Sequence, residues 1–233
     1  MKPKQIITLI CVLLMVALSA QTLAEVRVLT DRNGSYRMVR VTQGAHGQNV
    51  WSSSRRSNPE TTLNVYGDRN GDLRPTIRES PFNPHHPWVV WSKVGESGYG
   101  LAWSRWENEG WEPISWVAPS EGPGDSLDAD MQFDGNGRPY VTWWHHDKGE
   151  GHVLLSLFIG ESGWMTPFPV SEDGVDSRYP NFESVSEDAV AIRYETSAGT
   201  VEQVISFTFP VTITEDINPL DYVQTESKSL VDE

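Results

Sequence analysis

The sequence contains a single cysteine, Cys11, among its 233 residues. Cys11 lies within an apolar run over residues 6–18, which follows two lysines and leads to small side chains ending at Ala24. This order is typical of a secretory signal peptide, expected over residues 1–24. Cleavage after Ala24 would leave 209 residues without a thiol. We therefore expect a secreted or periplasmic protein with neither a disulfide framework nor a thiol nucleophile.

Basic residues and long apolar runs are also scarce. The chain has 18 Lys and Arg against 32 Asp and Glu, which gives a net charge of −14. Because such a surface repels phosphate groups, the sequence disfavours nucleic acids and anionic membranes as partners. The run over residues 6–18 is shorter than the roughly 20 residues that span a bilayer, which favours a signal peptide over a membrane anchor. No membrane span is expected after the signal peptide is cleaved. Helical periodicity is missing after the signal peptide, which disfavours helical folds.

What the sequence does contain is a repeat of about fifty residues. At intervals of 52, 52 and 51 residues, strand-like segments rich in aromatic and β-branched side chains end at Val39, Trp91, Trp143 and Tyr194. A second column, of serines that begin at Ser52, recurs at intervals of 52, 52 and 50 residues. Two independent sets of residues thus recur with nearly the same period, which predicts a repeated β-sheet unit.

The repeat predicts an all-β fold, a β-propeller-like array of four four-stranded antiparallel sheets that forms a four-bladed wheel or a partial propeller. The aromatic column is expected to pack between adjacent sheets. The domain is expected over residues 25–213, with the repeats at residues 25–72, 73–125, 126–176 and 177–213.

The fourth repeat is short by one strand. Residues 26–29, from the other end of the domain, could supply it. The acidic segment 214–233 has no place in the pattern and is expected to be a loosely held C-terminal tail.

Two segments, 104–111 and 156–164, run from a serine to a Gly-Trp pair at the turn between the third and fourth strands of their units. They resemble degenerate copies of the Asp-box of sialidase-like propellers, Ser-x-Asp-x-Gly-x-Thr-Trp. The aspartate of the box is absent from both. The resemblance covers essentially the whole chain after the signal peptide and implies a secreted β-propeller. Sialidases of this family have six blades and three arginines that grip a sugar carboxylate, and four units leave too little chain for six blades.

In a propeller of this strand order, the loops leading into the inner strands and those leaving the second strands share one face. Arg74 and Arg178 begin equivalent inner strands, and together they could hold an anionic ligand through bidentate hydrogen bonds. Alternatively, each arginine pairs with its own neighbouring aspartate, Asp72 or Asp176.

The densest polar cluster on this face is His145-His146-Asp147. Imidazole beside carboxylate can bind a metal ion or move a proton near neutral pH. Adjacent histidines at a strand end point to opposite sides, however, so no metal is expected there. Glu195 leaves the second strand of the fourth unit on the same face and is a further candidate ligand-binding residue.

A weak calcium pattern precedes the second unit. Asp68, Asn70 and Asp72, with Glu79 at the twelfth position, have oxygen donors at calcium-loop spacing. Leu73 stands where such a loop needs glycine, and the segment also fits a tight turn between units. No other cofactor is indicated by the sequence.

These observations favour a non-catalytic binding module for a glycan or a protein partner, because no complete catalytic set is present. One alternative is a sialidase-like glycoside hydrolase with a reduced active site, in which Arg74 and Arg178 grip an anion and Glu195 or Asp147 is the acid. A second alternative is a structural subunit of an envelope assembly. An arc of sheets that closes by pairing with a second chain would make the protein an oligomer.

Overall fold

The computed structural model of the chain describes residues 26–30, 36–44, 47–54, 57–62, 73–83, 86–107, 110–119, 123–207 and 223–230. For residues 26–62 and 223–230 the description is confined to backbone pairing. These residues form strands, turns and one short 3-10 turn, Gly160–Ser162, and contain no α-helix. None of the elements described is a helix long and apolar enough to cross a membrane.

The first two sheets are antiparallel meanders. The first consists of β1 (Val26–Thr30), β2 (Tyr36–Gly44), β3 (Gly47–Ser54) and β4 (Ser57–Thr62). The second consists of β5 (Leu73–Glu79), β6 (Pro87–Val94), β7 (Tyr99–Glu107), β8 (Gly110–Trp111) and β9 (Ser115–Ala118). Its outer edge is broken into two pieces, since β8 and β9 both pair with β7.

The third and fourth sheets repeat the same order. The third consists of β10 (Asp125–Phe133), β11 (Pro139–Asp147), β12 (Glu150–Leu157) and β13 (Phe168–Pro169). The fourth consists of β14 (Ser177–Val185), β15 (Ala189–Thr196), β16 (Gly199–Phe207) and β17 (Val223–Leu230). The predicted all-β architecture of four antiparallel sheets is confirmed.

The sheets are arranged side by side through their inner strands. Strand β5 contacts β1 and β10, and β10 contacts β14. Each inner strand is also the first strand of its sheet, so the four sheets extend outwards from a common inner edge. This is the arrangement of propeller blades.

The second and third sheets enclose a buried apolar cluster. Trp88 and Val90 of β6 meet Met131 of β10 and Trp143 of β11. Because successive side chains of a strand point to opposite faces, Trp91 belongs to a separate cluster on the other face of the second sheet. The second sheet therefore buries apolar side chains on both of its faces.

A larger cluster lies between the third and fourth sheets. Tyr140 and Leu155 of the third sheet meet Ile192, Tyr194 and Ile205 of the fourth, and all five are buried. Burial raises the pKa of the Tyr140 hydroxyl far above its usual range, so this side chain stays neutral. Trp143 and Tyr194 lie in clusters shared by two sheets, as expected for packing between sheets, and Trp91 is buried in a cluster of second-sheet residues.

The hairpins with the Asp-box resemblance share one hydrogen bond. The hydroxyl of Ser104 donates to the carbonyl of Glu112 at 2.7 Å, and that of Ser156 donates to the carbonyl of Met165 at 2.8 Å. In both cases the serine ties the third strand to the segment that follows the Gly-Trp pair. The repeated serines therefore have a structural role in closing the outer edge of the sheet.

Two expectations about the ends of the domain are wrong. Residues 26–30 form β1 and pair with β2 of the first sheet, so they do not complete the fourth sheet. The missing strand is β17, from the segment expected to be a loose tail, and it pairs with β16 along its whole length. Backbone groups of β16 that would otherwise lie at an open edge are satisfied by this pairing.

Candidate functional site

Three consecutive inner strands share an irregularity near their beginnings. The pairing of β5, β10 and β14 with the neighbouring strand shifts register at residues 74–75, 128–129 and 179–180, respectively. The first residue of each pair has a left-handed backbone: φ is 51° at Arg74, 53° at Asp128 and 56° at Tyr179. These are β-bulges, which redirect side chains and often lie beside binding sites.

The bulges are held in place by burial of their second residues. Pro75, Ala129 and Pro180 are buried, and neither proline has a backbone N–H that would be left unpaired by the break in the ladder. A left-handed conformation costs a residue other than glycine about 1–3 kcal/mol. Strain of this kind at three equivalent positions is typical of a site where function, rather than stability, determines the backbone.

The bulges open a cavity of about 260 Å³ between the inner strands of the second, third and fourth sheets. Most of its lining side chains carry a charge, a hydroxyl or an amide group. The lining residues are Arg74, Thr76, Arg78, Asp128, Ala129, Asp130, Tyr179, Pro180 and Asn181. A cavity of this size and polarity suits one small polar group more than a large apolar ligand.

Two ion pairs cross the cavity from β5 to β10. Arg74 pairs with Asp128, and the Nη2 atom of Arg78 donates to Oδ1 of Asp130 at 3.0 Å. Each guanidinium in the described lining is thereby matched by one carboxylate. The described lining has no net charge, in contrast to the strongly acidic chain as a whole.

Asp130 also joins the three inner strands. Its Oδ2 atom accepts from the backbone N–H of Phe182 on β14 at 3.1 Å, while Oδ1 accepts from the N–H of Met131 at 2.9 Å. The hydroxyl of Thr76 on β5 donates to the carbonyl of Ala129 on β10 at 2.9 Å. These hydrogen bonds preorganise the cavity walls, because they fix the spacing of neighbouring sheets.

One carboxylate oxygen at the bulges lacks a partner among the described residues. Oδ2 of Asp128 is buried and has no hydrogen-bond partner among the described residues, whereas Oδ1 of the same carboxylate pairs with Nη1 of Arg74. Buried donors and acceptors are nearly always satisfied in folded proteins. A hydroxyl group of a ligand could donate to this oxygen.

The two arginines predicted to act together are separated. The register equates Arg178 with Leu73, whereas Arg74 is equivalent to Tyr179. Arg178 is exposed, and its hydrogen bond to Asp176 raises the pKa of its guanidinium. The alternative in which each arginine pairs with its neighbour therefore holds for Arg178, while Arg74 reaches across to Asp128 of the next sheet.

The histidine cluster lies on the last residues of β11 rather than in a loop. Nδ1 of His145 is 3.2 Å from the hydroxyl of buried Ser126, whereas the ring of His146 packs against Trp144 with centroids 5.3 Å apart. Asp147 is 3.7 Å from Lys148. The histidines thus have different surroundings, and the described residues contain no group of three metal-ligating side chains.

His145 makes the protein less stable in mild acid. Burial lowers the pKa of its imidazole from the usual 6.5, although Asp147 and Asp125 oppose the shift and His146 and His152 reinforce it. As the pH falls from about 6.5 towards the folded-state pKa, the unfolded chain takes up a proton that the folded protein does not, so the free energy of unfolding decreases. We expect the melting temperature to fall less between about pH 7.5 and pH 5.5 in His145→Asn than in the wild type. An equal fall in both proteins would contradict this assignment.

The remaining predicted residues lie outside the cavity. Glu195 is exposed on β15, where it is the backbone partner of Arg178 and Thr200. The calcium candidates Asp68, Asn70 and Asp72 lie outside the described residues.

Five polar residues of the cavity belong to a short sequence pattern that the fifty-residue period alone did not reveal. Three short segments share the order of a bulge residue, a proline or alanine, a polar residue and an apolar residue. They are residues 74–77, 128–131 and 179–182, which read RPTI, DADM and YPNF. Aligning the inner strands on these segments would have added Thr76, Asp128, Asp130, Tyr179 and Asn181 to the candidate site.

Comparison with known proteins shows similarity in fold but not in sequence. No family model and no curated protein matches the sequence. The structure is similar to a GH93 α-L-arabinofuranosidase of Fusarium graminearum, with a TM-score of 0.50, 8% identity and coverage of 79% of this chain and 61% of that one. It is also similar to an α-L-arabinanase of Penicillium chrysogenum, with a TM-score of 0.50, 9% identity and coverage of 88% and 66%. Both structures contain arabinobiose.

The fold is similar to that of β-propeller glycoside hydrolases. The chain spans less than two thirds of either relative's length. At such low identities the likeness concerns architecture and transfers no catalytic residue. The finer resemblance to sialidases stays a prediction from the sequence.

Proposed function

We propose that this is an exported carbohydrate-binding protein that holds one neutral sugar unit in the cavity between its second, third and fourth sheets. The observation that carries the proposal is the convergence of three strained bulges on one polar cavity. Guanidinium, carboxylate, hydroxyl and amide groups together offer the donors and acceptors that sugar hydroxyl groups require. Preorganised walls reduce the ordering that binding would otherwise demand.

The charge of the lining favours a neutral sugar over an anionic one. Arg74 is occupied by Asp128, and Arg78 by Asp130. A sugar carboxylate would have to displace an aspartate or lie beside it, at an electrostatic cost in a partly enclosed site. This differs from the sialidase resemblance, which implies arginines free to grip a carboxylate.

The fold relatives suggest which neutral sugar to test first. Both contain arabinobiose and are named for action on arabinose-containing glycans. Because that likeness is one of fold, arabinobiose is a starting ligand within a wider panel of neutral oligosaccharides.

Glycoside hydrolysis is the second candidate, since the fold relatives are hydrolases and Asp128 and Asp130 provide two carboxyl groups in one cavity. Hydrolysis needs one carboxylic acid that gives a proton and one carboxylate. Both aspartates are engaged by arginines, and no other carboxyl group belongs to the described lining. Binding without turnover is therefore the better fit.

Isothermal titration calorimetry with arabinobiose, xylotriose, galacturonic acid and sialyllactose tests the proposal. We expect heat of binding with a neutral sugar, little with the anionic sugars, and intact sugar by chromatography after prolonged incubation. Sugar release that is lost in Asp128→Asn would instead establish a hydrolase. The absence of binding to every neutral sugar, with tight binding of an anionic one, would overturn the proposal.

A further inference from the structure

Tyr179 presents an exposed aromatic ring at the cavity. Its side chain lines the cavity, yet the residue is 48% exposed. Among the described residues, the other large hydrophobic residue that is clearly exposed is Phe82, at 68%, in the turn between β5 and β6. That turn lies at the opposite end of the second sheet from the bulge at Arg74. The position of Tyr179 beside a polar cavity therefore needs an explanation that Phe82 does not.

The backbone conformation of Tyr179 is restrained by the two residues that follow it. Its left-handed φ of 56° is followed by buried Pro180, and the side-chain amide of Asn181 donates to the carbonyl of Tyr179 at 3.0 Å. Exposed aromatic residues in ordinary loops have no such restraint. A ligand that contacts this ring would lose little conformational entropy in ordering it.

Neighbouring aromatic side chains support the ring. Trp144 of β11 lies with its ring centroid 6.4 Å from that of Tyr179, at an interplanar angle of 44°. His146 packs against Trp144 at 5.3 Å. The indole N–H of Trp144 is buried and has no hydrogen-bond partner among the described residues. The third sheet thus supports the tyrosine of the fourth sheet, and an aromatic surface extends from the cavity towards the end of β11.

We infer that the Tyr179 ring is a platform for a second sugar unit, so that the ligand is a chain of at least two sugars. This inference rests on the proposed function: the first unit occupies the polar cavity, and the second packs the C–H face of its ring against Tyr179. That face of a sugar is apolar, and its burial against an aromatic ring is favourable, while the hydroxyl groups at its edge remain in water. The exposed ring of Tyr179 stands at the edge of the cavity, which is where the second unit would lie.

The experiment compares arabinose with arabinobiose on four proteins by calorimetry: the wild type, Tyr179→Gly, Tyr179→Phe and Phe82→Ala. Glycine removes the ring and accepts the left-handed backbone without strain, so this variant is expected to fold. We expect the wild type to bind the disaccharide about tenfold more tightly than the monosaccharide. Tyr179→Gly should lose that difference, because its affinity for arabinobiose should fall more than its affinity for arabinose. Tyr179→Phe and Phe82→Ala should behave as the wild type.

The outcomes separate this inference from the proposed function. Equal binding of both sugars by the wild type, unchanged in Tyr179→Gly, would overturn the platform and leave the cavity as the binding site. An equal loss of affinity for both sugars in Tyr179→Gly would also overturn it, since the ring would then contribute only to the first sugar's site. If the wild type binds neither sugar nor any longer neutral oligosaccharide, both the platform and the proposed function fail.

Discussion

Replacing Asp128 by Asn is expected to weaken binding of arabinobiose by about tenfold to a hundredfold, because hydrogen bonds to charged groups contribute about 1.5–3 kcal/mol. The substitution removes the carboxylate that balances Arg74 and one of the buried acceptors without a partner. It leaves the guanidinium free, so affinity for galacturonic acid should rise as affinity for the neutral sugar falls. Calorimetry of Asp128→Asn and the wild type with arabinobiose and with galacturonic acid measures both changes in affinity.

Glu112→Gln is the matched control for this experiment. Glu112 pairs with Arg105 at 2.7 Å beside the outer edge of the second sheet, so the change also breaks an arginine–carboxylate pair. Its affinities for both sugars should equal those of the wild type. If Asp128→Asn binds both sugars as the wild type does, the cavity is not the sugar-binding site.

Replacing Asp134 by Ala is expected to produce the largest loss of stability. Asp134 has a side-chain exposure of 0% and accepts hydrogen bonds from the N–H of Asn136 at 2.9 Å and from Nε of Arg138 at 2.6 Å. Nη2 of Arg138 in turn donates to the carbonyl of Glu187 at 2.8 Å, which links the third sheet to the fourth. Breaking a buried pair on one side costs about 3–5 kcal/mol. For a domain of this size, the melting temperature should fall by about 6–20 °C.

Asp173→Ala serves as the control, since Asp173 is exposed on a turn. Its effect should stay within about 0.5 kcal/mol. Differential scanning calorimetry with both variants distinguishes the buried pair from a general effect of lost negative charge. A fall of less than 2 °C in Asp134→Ala would mean that Arg138 and the turn find other partners at little cost.

The sheets were predictable because each repeat places the same kind of side chain at the same register. Trp91, Trp143 and Tyr194 occupy equivalent positions and are buried, and large buried aromatic side chains at a regular interval are easy to recognise in a sequence. The outer strand β17 was not predictable in this way. It follows β16 after a long connection and carries charged residues such as Glu226 and Lys228, which suit an edge strand and leave no aromatic column.

The candidate site was predicted only at the level of the face on which it lies. Arg74 was identified, but its partner Asp128 was not, because a bulge changes which residues of neighbouring strands are equivalent. Counting from the period aligned Arg74 with Arg178, and the structure aligns it with Tyr179. A local backbone irregularity leaves little trace in hydrophobic spacing, although the prolines after Arg74 and Tyr179 mark it.

The late position of β17 in the chain has a consequence for how the protein is made. The second and third sheets can meet once residue 169 has been synthesised, since all of their strands precede it. The fourth sheet must wait until residue 230, because β16 has no outer partner before then. Nascent chains should therefore pass through a stage in which three finished blades coexist with an unpaired edge, and chaperones that shield exposed strands would act at that stage.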